Sequence, residues 1–212
     1  MILNSHFTMN PSPMNEYFHT IEKAAVAEYK DRGSKFIAYA FPITTIADFK
    51  KRLEEVKKEH PKATHYCFAY RIGIDKNNFR VSDDGEPSGT AGRPILGQID
   101  SRGITDILVI VVRYFGGTLL GVPGLINAYK TSASLVMQLT PVVQKAVEVM
   151  YVLQFDYTLV NPIMILLKQL NCSLISQEMQ LFCRYSIGVP INRQVEFLSR
   201  IKDFQHVEVG KQ

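Results

Sequence analysis

Cysteine is scarce in this chain: Cys67, Cys172 and Cys183 are the only three among 212 residues. They are too few and too scattered for a disulfide framework, and none forms the C-x-x-C pair of a structural zinc site. Reduced thiols in a cytoplasmic protein are the expectation. Long apolar runs are missing as well. None approaches the ~18 residues a membrane helix needs, and no basic segment followed by an apolar one marks a secretion signal, so no membrane partner is expected. Strong charge is absent: the net value is +4, with 17 Lys+Arg against 14 Asp+Glu in residues 1–140 and 7 against 6 in 141–212. Such a balance permits a nucleic-acid partner without demanding one. There is no G-x-x-x-x-G-K-[ST], no G-x-G-x-x-G and no G-x-S-x-G, which removes the common phosphate, dinucleotide and hydrolase-elbow signatures. No cofactor is implied. What is present is an ordinary globular composition, 46% hydrophobic, with enough apolar content for a buried core.

Periodicity places the elements. Residues 1–15, polar and punctuated by Met1, Met9 and Met14, read as a disordered lead-in, with Met14 a candidate natural start. Residues 24–29 and 35–43 read as strands joined by a turn at Lys30-Asp31-Arg32-Gly33. Thr45 with Asp48 opens a helix whose apolar face is Ile46, Phe49, Leu53 and Val56; its lysines read as a solvated surface. Strands follow at 66–72 and 79–81, then a helix over 94–101. The unbroken run Ile107–Val112 implies a strand buried on both faces. A helix is expected over 125–139, ending before Pro141. Beyond that proline the order strand (146–157), helix from Asn161-Pro162, two strands (172–177, 179–189), helix from Asn192 and a closing strand (206–209) is β-α-β-β-α-β, a ferredoxin-like pattern. The domain boundaries are placed at 16–140 and 141–212.

Two glycine-rich segments hold the chemistry. The first runs Ser82-Asp83-Asp84-Gly85-Glu86-Pro87-Ser88-Gly89-Thr90-Ala91-Gly92-Arg93-Pro94. Its glycines permit backbone angles other residues avoid and let a backbone or phosphate approach closely. Asp83, Asp84 and Glu86 offer hard oxygens to a divalent metal; alternatively they cap turns and pair with Arg93 or Arg113. No metal site is assigned. The second segment runs Arg113-Tyr114-Phe115-Gly116-Gly117-Thr118-Leu119-Leu120-Gly121-Val122-Pro123-Gly124, between a central strand and a helix start, where free N–H groups favour an anion. Tyr114 and Phe115 beside Arg113 suit base stacking or the core. His65 is either a hydrogen-bonding strand residue or a proton carrier, and Cys67 reads as core.

These segments, with Gly33-Ser34-Lys35-Phe36, Ala63-Thr64-His65-Tyr66-Cys67 and Ala128-Tyr129, closely resemble the YigZ/Impact family over about residues 17–135. The resemblance implies an α+β protein: an N-terminal domain like ribosomal protein S5 domain 2, with a left-handed β-α-β unit, then a small ferredoxin-like domain akin to translation-factor modules. It implies a role in translation through RNA or the ribosome, not an enzyme of settled activity. Eukaryotic members regulate translation through a further domain that has no counterpart here, so their regulatory protein partner is not carried over. One departure stands out. Leu119, Pro123 and Asn127 replace the Lys, Gly and Arg usual in the family, removing two cations from the second loop. The expectation is thus a non-enzymatic, nucleic-acid- or ribosome-associated protein. His65, Ser88, Thr90, Arg93, Arg113, Tyr114, Gly116, Gly117 and Lys130 would meet phosphate, base or ribose. Two alternatives stand beside it. One is a metal-assisted hydrolase or phosphotransferase using His65, Asp83, Asp84, Glu86 and Ser88. The other is a protein-binding adaptor docking through the ferredoxin-like sheet. The first loop is expected to carry the activity, with the second forming its floor.

Overall fold

A computed structural model describes residues 16–75 and 77–212. The expected lead-in at 1–15 lies outside them, as does Lys76 of the expected turn at 75–78. Contacts divide the chain into two compact units, one over Phe18–Lys145 and the other containing Ala146–Gln212. The fold class is α+β, as expected.

The first unit is built on a five-stranded antiparallel sheet of β2 (Ala25–Asp31), β3 (Ser34–Pro42), β4 (His65–Ile72), β5 (Asn78–Ser82) and β6 (Ile107–Tyr114), ordered β2-β3-β6-β4-β5. β6 lies between β3 and β4 and is antiparallel to both. The connection from β3 to β4 through α1 (Ile46–Glu59), and that from β5 to β6 through α2 (Gly92–Ser101), are therefore crossovers between parallel strands. This is the S5 domain 2-like arrangement. α2 and α3 (Gly121–Gln138) cover one sheet face, burying Ile95, Ile99, Leu125 and Val136 against Phe36, Cys67, Val109 and Val111. α1 covers the other, with Phe49 and Val56 against Tyr39, Phe68, Leu108 and Ile110. Helices on both faces explain the unbroken apolar run of β6: Ile107 to Val112 are all fully buried, each contributing about 1.5–3 kcal/mol.

Local chemistry fixes the ends. Thr45 Oγ1 accepts from the Asp48 N–H at 3.1 Å while Asp48 Oδ2 accepts from the Thr45 N–H at 2.9 Å, a reciprocal cap for α1. α3 begins one turn before its expected start, at Gly121. Pro123 is accommodated there because a first-turn N–H has no intrahelical partner to lose. Two short strands escape the periodicity reading: β1 (Tyr17–Ile21) and β7 (Val142–Ala146), which pair with each other. β7 follows directly on Pro141.

The second unit contains β8 (Glu148–Phe155), α4 (Val160–Gln169), β9 (Ser173–Met179), β10 (Cys183–Pro190), α5 (Gln194–Ile201) and β11 (Glu208–Lys211). Its sheet order, β11-β8-β10-β9, is ferredoxin-like. Ile163, Leu166, Phe197 and Ile201 of the helices bury Leu153, Phe155, Tyr185 and Ile187 of one sheet face. Along the alternate positions, Glu178, Arg184, Gln154 and Glu208 stand in register across the four strands.

Candidate functional site

Alternation along β6 decides where the site's side chains go. Arg113 follows Val109 and Val111 onto the α2–α3 face, and Tyr114 falls on the α1 face. Register places Arg113 opposite His65 of β4 and Phe36 of β3. Arg113 is buried, and its Nη1 donates to Glu86 Oε1 at 2.6 Å. Its Nη2 donates to Ser34 Oγ at 3.3 Å, and its guanidinium lies 5.5 Å from the Phe36 ring centre and 5.6 Å from that of Phe115. Arg113 Nε has no hydrogen-bond partner. Glu86 is also buried, and the same Oε1 accepts from the Tyr129 hydroxyl of α3 at 2.7 Å. The Cys67 thiol donates to the Asp83 carbonyl at 3.0 Å and lies 3.3 Å from Tyr129 Oη. Burial pushes both the thiol and the phenol to higher pKa, so neither is primed as a nucleophile or base.

The acidic loop closes on itself. Asp83 Oδ1 accepts from the N–H groups of Ala91 and Gly92 at 3.0 and 2.8 Å, and Oδ2 from that of Gly89 at 2.8 Å. It thereby caps the start of α2, whose own N-cap, Ala91, supplies no side-chain bond. Asp84 Oδ2 accepts from the Tyr66 N–H at 2.7 Å, and the Asp84 carbonyl accepts from His65 Nδ1–H at 2.8 Å. That bond assigns the His65 proton to Nδ1 and directs Nε2 toward Glu86 Oε1, 3.8 Å away. Asp83, Asp84 and Glu86 thus end on three separate sets of internal donors. The metal expected under the hydrolase reading has no shared carboxylate cage, and no cluster of metal-ligating residues occurs among the described residues.

Asp83 gives a pH prediction. Burial raises its pKa, but the N–H groups of Gly89, Gly92 and Ala91 outweigh that, and the net displacement is downward. A carboxylate with a depressed folded-state pKa adds stability above the usual carboxylate range, and that stability is lost as pH falls through the folded value. Asp83→Asn should therefore reduce stability at neutral pH by about 1–3 kcal/mol and flatten the acid limb of a urea-stability profile. An unchanged acid limb in the variant would refute the assignment.

The glycines of the second loop permit backbone packing. A Cβ on Gly33 would stand 2.8 Å from the Gly116 carbonyl oxygen, and one on Gly116 would overlap the Gly33 carbonyl. Gly116 N–H also donates to Ser34 Oγ at 3.3 Å. The β2–β3 turn therefore rests directly on the β6–α3 loop. Arg32 Nη2 donates to the Leu120 carbonyl at 3.2 Å, closing the same junction.

Several expected contact residues face inward. Arg113 is consumed by Glu86 and Ser34. Thr90 is buried, its hydroxyl donating to the Pro87 carbonyl at 2.7 Å. Tyr114 is half-buried and bonded through its hydroxyl to His60 Nδ1 at 2.9 Å on the opposite sheet face. Ser88, Arg93, Gly116, Gly117 and Lys130 are exposed and His65 half-buried. Among the described residues, neither Arg93 nor Lys130 forms an ion pair with a carboxylate. The structure adds members that the sequence reading gave no role: Ser34, Tyr129 and His60. Tyr129 had one visible signal, a phenol four residues after Leu125 on the apolar stripe of a helix.

Residues 32–137 match the family model described as the Impact N-terminal domain. The chain is 35% identical over 173 residues to IMPACT family member YigZ of Escherichia coli (strain K12), covering 81% of this chain and 85% of that one. It is 31% identical over 199 residues to an IMPACT family member of Haemophilus influenzae, covering 90% and 97%. A crystal structure described as that of a hypothetical protein superposes with a TM-score of 0.73 at 31% identity, covering 92% of this chain and 96% of the other.

Proposed function

The chain belongs to the Impact family, and on that premise we propose that it is a nucleic-acid- or ribosome-associated protein linked to the regulation of translation, acting by binding and not by turnover. The observation that carries this reading is the fate of the three loop acids: Asp83, Asp84 and Glu86 are all bonded to internal donors. Each of them is held in place by a different set of donors, which supports binding over metal-assisted turnover. The exposed groups of the two loops and of the helices that follow them instead include cations and donors, namely Arg93, Lys130, Ser88 and the Gly117 backbone. Such groups suit phosphate contact, which positions a nucleic acid without reading its sequence. The resemblance of both domains to translation-machinery modules supports the same direction.

Filter binding against tRNA, rRNA fragments and single-stranded RNA at varied salt tests this. Binding in the micromolar range at low salt is expected. Arg93→Ala combined with Lys130→Ala should weaken it and reduce the magnitude of the log–log salt slope by about 1–2. Absent binding at low salt, or binding indifferent to the double substitution, overturns the proposal. Arg113 is unsuitable as a probe because its loss perturbs the fold.

A further inference from the structure

One end of the second unit's sheet forms a cleft of about 510 Å³, a size typical of small-molecule sites. Asp156, Thr158, Leu159, Phe182, Gln205 and His206 line it. Strand register brings three of them together. Phe155 of β8 pairs with Cys183 of β10, and Gln154 of β8 pairs with Glu208 of β11. Extending the first ladder by one pair and the second by two sets Phe182 and His206 on either side of Asp156. Neighbouring strands lie about 4.8 Å apart, so the two rings start from backbones about 10 Å apart. Stacked rings sit about 4.5–7 Å from each other, and that spacing accommodates one flat ring between two others.

The polar groups of the cleft fall into one fixed member and several free ones. Asp156 Oδ1 accepts from the Thr158 N–H at 2.9 Å and from the Thr158 hydroxyl at 2.8 Å. These bonds hold its carboxyl below the usual carboxylate range, so at neutral pH it is an acceptor with no proton to give. Among the described residues, no hydrogen bond reaches Asp156 Oδ2, the Gln205 amide or the His206 ring. Phe182 is 52% exposed while its ladder neighbours Phe155 and Cys183 are buried, so the core does not use its ring. The charges beyond the lining are mixed: Asp203, Glu178 and Glu208 stand against Lys202 and Arg184. Such a mixture does not hold a phosphate, and recognition falls on a flat ring and its polar edge.

We propose that this cleft binds an unpaired guanine base, stacked between Phe182 and His206, with its adjacent N1–H and 2-amino donors on Asp156 and its O6 accepting from Gln205. Unstacked bases are held in this manner, by aromatic side chains and by hydrogen bonds along the Watson–Crick edge. An acceptor-only carboxylate selects guanine because the other bases do not present two adjacent N–H donors there. The base comes either from a free nucleotide or from single-stranded RNA, and both present the same edge. The cleft belongs to the second unit and shares no residue with the RNA-binding proposal for the first, so either fails without the other.

Amide NMR titrations of the full chain with guanosine, inosine and adenosine monophosphates test it, since the three share ribose and phosphate and differ only at the base. The guanosine nucleotide should shift the resonances of Asp156, Phe182 and His206. It should bind at least about fivefold more tightly than the inosine nucleotide, which lacks the 2-amino group, and than the adenosine one. Asp156→Asn should erase that preference, because an amide turns a donor toward one of the two N–H groups. The urea midpoint should not move, since asparagine caps a helix start as well as aspartate does. Phe182→Ala should weaken the guanosine nucleotide at least about fivefold. A short uridine-rich RNA with one central G, compared with the same RNA carrying A, separates the sources. Tighter binding of the G-containing RNA than of the nucleotide at these resonances assigns RNA, and the reverse assigns a free nucleotide. Equal affinity for the three nucleotides, no shift at the cleft with any of these ligands, or a guanine preference that survives Asp156→Asn overturns the proposal.

Discussion

Glu86→Ala is expected to destabilise the first unit by about 3–5 kcal/mol, the largest effect of any single side-chain truncation around the site. The side chains of Glu86 and Arg113 are only 4% and 6% exposed and meet at 2.6 Å. Removing the carboxylate strands a buried guanidinium that already has one unpartnered nitrogen, and it also orphans the Tyr129 hydroxyl. Arg113→Ala should have a similar effect by the reverse route. The double variant should be less destabilised than the sum of the singles by at least about 1 kcal/mol, because residues in one network couple. Urea unfolding of the four proteins closes the cycle. Strict additivity would show that the pair does not act as one unit.

Gly116→Ala and Gly97→Ala should move stability in opposite directions. At position 116 the new methyl meets the Gly33 carbonyl and the Ser34 nitrogen. Both are backbone, held by the antiparallel pairing of β2 and β3, so they cannot turn aside as a side-chain tip would. A loss of about 3 kcal/mol is expected, at the upper end of ordinary overpacking. Gly97 lies within α2, is exposed and has nothing within reach of a Cβ. Alanine there should add about 1 kcal/mol through helix propensity alone. Thermal melts of both variants give the two signs directly. Equal effects would mean that the Gly33–Gly116 contact is not a constraint.

Much of the scaffold is readable without coordinates, because its causes are local. The run Ile107–Val112 has no polar position, so β6 must be covered on both faces. Thr45 and Asp48 are three apart, so the α1 cap is visible as a pair. β1 and β7 lack such signals. Each has five residues of mixed polarity, and each finds its partner more than a hundred positions away. At the site, the glycines and acids announce an unusual loop, but their partners are non-local. Glu86 and Arg113 are 27 positions apart, and only the registry of β4 against β6 places Arg113, and not Arg93, over the carboxylate. Polarity misleads at Thr90, Arg113 and Tyr114 because the hydroxyls of Thr90 and Tyr114 and the Nη1 and Nη2 groups of Arg113 find partners within the protein. Exposure was the natural expectation for them, and burial with a partner is the other way to satisfy a polar group.

The position of β6 also sets the timing of synthesis. This strand joins the β2–β3 hairpin to the β4–β5 hairpin, and it is made last. The interval from Ser82, the end of β5, to Tyr114, the end of β6, is 114 − 82 = 32 residues. At about 5–20 residues per second, roughly 2–6 s pass in which two hairpins with apolar faces wait on the nascent chain without the strand that unites them. The full wait is longer, since α3 must follow before Phe36 and Val111 are covered. A ribosome that stalls between these points would hold an aggregation-prone half-sheet, and chaperone occupancy along the nascent chain should peak there.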